Sequence, residues 1–341
     1  MGTKLNNSPV IYVLAADLGL RPTTAPVEGI VDYCKKKVKR FLDDFKGFGK
    51  PSELLSLVGN KLGTLFIEIH RDDDLRRAVK EYANRGELLF AELEEELADD
   101  VFGITLKLVH PRRFDLPFVS IVDSRGSKAR RAYFTKWHEL GHLLILTDQR
   151  RLEFRRTHSL HEPKSCEESL VDILAGEFAY YAPMVKPLAR GEISFEAIEA
   201  VRQELCPEGS FTSAIIGLVK AWPHACISIE AKMASKKGDG DPNQPAFGFM
   251  PPAAQALRAV HVTVNELARE RGIQLHPNFR VPSASVISRV FREQLSDGEG
   301  VENLNWWRAS NGTQLANLWM VVRAKRVGQS VYALLVPQFD N

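Results

Sequence analysis

Two histidines four residues apart, with a glutamate directly after the first, occur in the stretch RRAYFTKWHELGHLLIL as His138, Glu139 and His142. Successive residues of a helix turn by about 100°, so positions i and i+4 share a face about 6 Å apart along the axis. Both imidazoles can then grip one ion, while Glu139 projects beside them toward a water without itself being a ligand. A zinc hydrolase divides its labour in this way. The ion brings the pKa of water down to about 7 and polarises the scissile carbonyl, and the glutamate passes the proton to the leaving amine. The rival reading is an ordinary buried helix that happens to carry polar residues, so a third ligand has to be sought.

Three places offer one. Asp148 lies six residues after His142, but using it needs a glycine at the third residue after His142 to turn the chain back; Ile145 stands there instead, so the helix continues and Asp148 swings away. His158 and His161 form a second pair in a polar stretch, where incidental surface histidines are the plainer reading. The segment CEESLVD places Glu168 and Asp172 at i,i+4 on the next helix, with Glu168 as third ligand and Asp172 orienting a histidine through its other ring nitrogen. Ser165-x-x-Glu168 also reads as a capping box, which would give Glu168 a structural role, and neighbouring Glu167 is an alternative ligand.

These residues need a scaffold, and the surrounding pattern is mixed. PVEGIVDYCKKKVKRFLDDF and SELLSLVGNKLG carry helical periodicity, TLFIEIH alternates as a strand, and a charged helix follows from Asp72. VFGITLKLVH and LPFVSIVD, rich in β-branched and aromatic residues, read as strands ahead of the motif helix. Beyond a helix from Cys166 and another from Phe195, a boundary is expected near Trp222-Pro223. The remainder alternates strands (ACISIEAKMA, RAVHVTV, LANLWMVVRAKR, SVYALLVPQ) with the helix SASVISRVFREQL. The expected fold class is α+β in two domains, 1–222 with a small sheet plus the motif helices and 223–341 as a smaller α+β module.

With 44% hydrophobic residues in 341, the chain can bury two cores. Its net charge of +2 argues neither for nor against nucleic acid. No apolar run approaches the roughly 20 residues of a membrane span, and the first ten residues lack the apolar core of a secretory signal. Four scattered cysteines form no CxxC pair, so a reduced, cytoplasmic protein is expected. Cys166, Cys206 or Cys226 could supply a thiolate to an open zinc position, against the plainer reading of each as a buried structural residue. The run CKKKVKR reads as a solvated helix face. Arg150, Arg151, Arg155 and Arg156 exceed what a helix C-terminus needs, and form a candidate patch for nucleic acid or an acidic partner.

Taken together, LPFVSIVD, RRAYFTKWHELGHLL and EESLVDILAGEFA resemble the ImmA/IrrE family of zinc metallopeptidases, over roughly residues 50–200. Val171-Asp172-Ile173-Leu174-Ala175 stands where that family has A-N-x-F-A, and Tyr181-Ala182-Pro183-Met184 replaces its L-M-P ending, so the register is blurred between Glu168 and Glu167. The resemblance implies a zincin-like domain with His138, His142 and Glu168 on Zn²⁺ and Glu139 as general base, followed by a GAF/PAS-like sensor domain. It also implies a substrate: a helix-turn-helix transcriptional repressor, cut once in a stress, DNA-damage or phage-defence response, under a single-stranded DNA or small-molecule effector. A peptidase holds its substrate extended, and the Val119–Val122 strand, with Val119 and Ile121, is the expected edge for strand addition. Two other classes remain in play: a catalytically silent regulatory protein on the same fold, and a nucleic-acid-binding transcription regulator.

Overall fold

The computed structural model describes residues 5–43, 50–97, 100–148, 153–157 (main chain alone at 154–157), 164–235, 255–273, 275–308 and 314–338. The chain divides into two compact units, Met1–Met184 with Gln203–Ser210, and Val185–Arg202 with Phe211–Asn341. The second unit thus takes in residues on the N-terminal side of Trp222, near which the sequence reading placed its boundary.

In the first unit, helices α1 (Pro9–Asp17), α2 (Pro26–Asp43) and α3 (Pro51–Leu62) precede strand β1 (Thr64–Ile69) and helix α4 (Asp72–Ala83). Strands β2 (Val101–Lys107) and β3 (Phe118–Asp123) lead into the motif helix α5 (Ala132–Leu144). Strand β4 (Glu153–Thr157) and the return helix α6 (Cys166–Ala179) follow. The four strands form one sheet in the order β1-β3-β2-β4. The β1–β3 pairing is parallel, and β2 pairs antiparallel with both β3 and β4.

All six residues of β3 are buried. Their near-continuous apolar run suits a strand covered on both faces. This order corrects one expectation. β3, with Val119 and Ile121, is paired on both sides, so its main-chain groups are already used and it cannot be the edge that receives a peptide. The edges of this sheet are β1 and β4.

Helix α5 is buried at eleven of its thirteen positions. That explains its weak amphipathicity, since a helix surrounded by protein has no polar face to keep. Two glycines let it approach its neighbours. A Cβ on Gly103 of β2 would lie 2.7 Å from Thr135 Cγ2 and 2.9 Å from Glu139 Oε1, and one on Gly141 would lie 2.9 Å from Val171 Cγ1 of α6. The helix can therefore sit directly on the sheet, with the return helix directly on it, and the Trp137 and Phe178 rings stack 5.8 Å apart across that second interface. At the far end, Lys37 of α2 donates to the Leu144 carbonyl at 3.2 Å, placing a cation where the helix leaves its carbonyls unsatisfied. Lys35 pairs with Glu177 at 2.8 Å. Of that basic run, Lys36, Lys39 and Arg40 are exposed, while Lys35 and Lys37 are half-buried.

The second unit is built on a five-stranded antiparallel sheet in the order β6-β5-β9-β8-β7. Its strands are β5 (Ile227–Ala234), β6 (Ala256–Val264), β7 (Asp297–Asn303), β8 (Trp319–Val327) and β9 (Ser330–Pro337). Helix α7 (Phe211–Ala221) packs on β5 and β6, and α8 (Val286–Arg292) on β7, β8 and β9. Ile229, Val322, Leu335, Ile287 and Trp307 share one apolar core. The whole is therefore mixed α+β, with a small sheet and a separate five-stranded one. No helix among the described residues is long and apolar enough to cross a membrane.

Candidate metal centre

His138 and His142 lie on one face of α5, both at 1% exposure or less. Glu168, near the start of α6, reaches them both. Its Oε2 is 3.0 Å from Nε2 of His138 and its Oε1 is 3.0 Å from Nε2 of His142. Each of the three residues offers a ligand atom within 4.8 Å of the others, so the group could hold a metal ion.

The second nitrogen of each ring is engaged from outside this cluster. Nδ1 of His138 lies 2.9 Å from Oδ1 of Asp172, and Nδ1 of His142 lies 3.4 Å from Oε1 of Glu167. Burial pushes the Asp172 carboxyl upward in pKa, but the His138 imidazole and Lys164, bonded to its other oxygen, outweigh this and hold it below its ordinary value. An ionised carboxylate only accepts, so Nδ1 of His138 must donate. In the neutral ring Nε2 is then a bare lone pair.

That lone pair provides the test of fit. Nε2 of His138 and Oε2 of Glu168 are buried and 3.0 Å apart, yet their alignment is not that of a hydrogen bond. Two buried acceptors in such proximity would be costly without a positive centre between them and their neighbours. His142 points the same way. Burial disfavours its charged form, but the neighbouring carboxylates of Glu167, Glu168 and Glu139 prevail and lift its pKa to about 9. The pocket is built for positive charge, and two imidazoles with a carboxylate are a donor set zinc accepts.

Glu139 is fully buried on the same helix. Its Oε2 accepts from Thr105 Oγ1 at 2.7 Å. Behind Thr105 stands Ser120 at 2.7 Å, and behind Ser120 stands Thr64 at 2.9 Å. Thr105 and Ser120 are cross-strand partners in the β2–β3 register, so this hydroxyl chain runs through the interior of the sheet. The sequence reading did not name these residues. A signal was available, since each is the single hydroxyl residue of a largely apolar strand, but nothing in the spacing links three different strands.

The capping alternative for Glu168 resolves without conflict. Ser165 Oγ accepts from the main-chain N–H of Glu168 at 3.1 Å, while the Glu168 carboxylate goes to the histidines. Ser165 thus fixes the first turn of α6 and so the point from which the carboxylate projects. Asp148 is exposed, as expected of a residue beyond the end of the helix. Among the described residues no cysteine sulfur joins the cluster: Cys166 is half-buried, and Cys206 and Cys226 are fully buried in their own surroundings. Tyr133, on the same helix, spends its hydroxyl on the Ala179 carbonyl at 2.7 Å. His158, His161, Arg150 and Arg151 lie outside the described residues. Arg155 and Arg156 belong to β4 by their main chain, and their side chains also lie outside.

No protein-family model matches the chain, and no curated protein matches it. The class to which the fold and site point therefore rests on geometry: a buried two-histidine, one-glutamate cluster with an adjacent glutamate, carried on an α+β scaffold.

Proposed function

We propose that the chain is a cytoplasmic zinc-dependent endopeptidase that makes a site-specific cut in a helix-turn-helix transcriptional repressor, as its resemblance to the ImmA/IrrE family implies. In this reading the first unit is a zincin-like domain and the second a GAF-like regulatory domain. The observation that carries it is the position of Glu168, 3.0 Å from Nε2 of both histidines, beside a Glu139 that is not part of that triad. A purely structural zinc site uses four protein ligands, whereas a catalytic one keeps a position open.

His138, His142 and Glu168 would hold the ion, and zinc bound there supplies the Lewis acidity that activates water and a carbonyl. The remaining work belongs to the chain. Glu139 accepts a proton from the attacking water and returns it to the departing amine. Thr105, donating to Oε2, holds the Glu139 carboxylate in one orientation. Asp172 keeps His138 in the tautomer that leaves Nε2 basic. A substrate strand would add to β4, whose pairing with β2 leaves its other side as a sheet edge.

Co-incubation of the zinc-loaded protein with the repressor encoded beside it tests the proposal. A discrete cut that Glu139→Gln abolishes while still binding zinc supports it. Zinc binding with no cut in any such partner points instead to a silent regulator on this fold. DNA binding without zinc or cleavage points to a transcription regulator.

A further inference from the structure

In the second unit, a cavity of about 630 Å³ opens beside helix α8. Its volume lies in the range of roughly 300–1,000 Å³ typical of small-molecule sites. Arg280, Arg292 and Arg308 line it, and among the described residues no carboxylate does. Among the described residues none of the three arginines forms an ion pair, whereas Arg323 of the same unit is met by Glu192 at 3.1 Å and Glu299 at 3.2 Å. Arg292 is instead oriented by main-chain carbonyls, of Ser288 at 3.3 Å and Ser283 at 2.8 Å, which aim the guanidinium without neutralising it.

The apolar part of the lining is aromatic. Trp306 is 38% exposed and faces this cavity, while the next residue, Trp307, is 1% exposed in the core. The Trp306 ring is braced edge-on by Trp319, with centroids 6.5 Å apart and planes at 79°. Phe291 of α8 and Leu257 of β6 complete this side. A large indole left in solvent gains nothing for the fold by itself, and three like charges around one concavity repel. Both costs are removed by a single kind of occupant, with a flat ring for the aromatic side and at least two negative charges for the guanidinium forks.

We propose that this cavity binds a nucleotide, its base against Trp306 and Phe291 and its phosphates on Arg280, Arg292 and Arg308. The site lies wholly within the second unit, owes nothing to the metal centre, and stands whether or not the chain is a peptidase.

Calorimetric titration of the full chain tests it, with ADP, inorganic pyrophosphate and oligothymidylate as probes. Saturable binding of ADP is expected. The double variant Arg280→Gln/Arg308→Gln, both positions exposed, should weaken ADP and pyrophosphate by at least about tenfold, the size of lost charge-assisted hydrogen bonds. Trp306→Ala should weaken ADP and leave pyrophosphate unchanged, and Arg269→Gln, outside the lining, should change neither. Thermal melting of each variant separates lost binding from lost folding. Absence of saturable heat at millimolar ADP overturns the proposal, as does ADP binding that the double variant and Trp306→Ala both retain. Binding of oligothymidylate alone overturns the free nucleotide and assigns the phosphates to a nucleic-acid strand.

Discussion

Asp172 Oδ1 lies 2.9 Å from Nδ1 of His138, one turn of α6 beyond Glu168, whose carboxylate meets the opposite nitrogen of the same ring. One helix thus contributes both the candidate third ligand and the group that orients the first. Such outer partners are worth about 10–100-fold in metal affinity. Asp172→Ala is expected to weaken zinc binding by that factor, read by competition against a chromogenic chelator. Unchanged affinity would mean that the contact does not tune the site.

Binding only to the folded state raises stability by RT ln(1 + [L]/Kd), about 2.7 kcal/mol at a hundredfold excess over Kd. Zinc should therefore raise the melting temperature of the chain, and a chelator should lower it. In His142→Ala the two curves should coincide. A melting temperature indifferent to zinc in the unaltered protein would argue against the cluster as a metal centre.

Thr105 is the link between Glu139 and the buried Ser120–Thr64 pair. Thr105→Val keeps the shape, removes the donor and leaves a buried carboxylate oxygen short of a hydrogen bond, at a cost of about 1–3 kcal/mol. The expected kinetic signature is a fall in kcat of about tenfold or more with KM little changed, following the loss of a positioned proton acceptor. Thr105→Ser, which restores the hydroxyl, should recover most of the rate. Equal loss in both variants would reduce Thr105 to a packing residue.

Gly141 has room for no side chain. A methyl there would meet Val171 Cγ1 at 2.9 Å and the Val171 carbonyl oxygen at 3.4 Å. Gly141→Ala must push α6 away from α5, an overpacking cost of about 1–3 kcal/mol. Because α6 carries Glu168, zinc affinity should fall together with the urea midpoint. If stability dropped while zinc affinity held, the two helices would not be coupled as described.

Asp123, with its side chain 1% exposed, accepts from Arg125 at 2.9 Å and Lys128 at 2.8 Å. Burial pushes its pKa up, but these hydrogen bonds more than offset it and hold the carboxyl below its ordinary 3.8. A depressed folded-state pKa stabilises the fold fully above the unfolded value, and that contribution disappears as pH falls through the folded one. Urea unfolding followed downward from about pH 5 should lose stability below about pH 4. Asp123→Asn should be less stable at neutral pH and flatten that slope. An unchanged slope would remove Asp123 from the acid response.

Several features were readable from residue order because they are local. His138, Glu139 and His142 share a helical face wherever that helix is placed, and Ser165 caps α6 through a residue three positions on. The strands Thr64–Ile69, Val101–Lys107 and Phe118–Asp123 follow from apolar, β-branched composition. Other elements carried no such mark. β7 reads DGEGVEN, with one apolar residue, and is a strand because β8 offers it a partner. β4, EFRRT, lies in what looked only like a basic run, and becomes a strand by pairing with β2.

Chain order alone therefore determined that two imidazoles and a glutamate would stand together on one helix, since a repeat of 3.6 residues sets that spacing without help from the rest of the molecule. Tertiary structure decided the rest. Packing of α6 on α5 over Gly141 chose Glu168 over Glu167 for the shared face of the histidines. Sheet order made β3 an interior strand, and cross-strand register brought Thr105 and Ser120 into line behind Glu139. These are relations between segments far apart in the chain, fixed by which surfaces bury one another, and no local period encodes them.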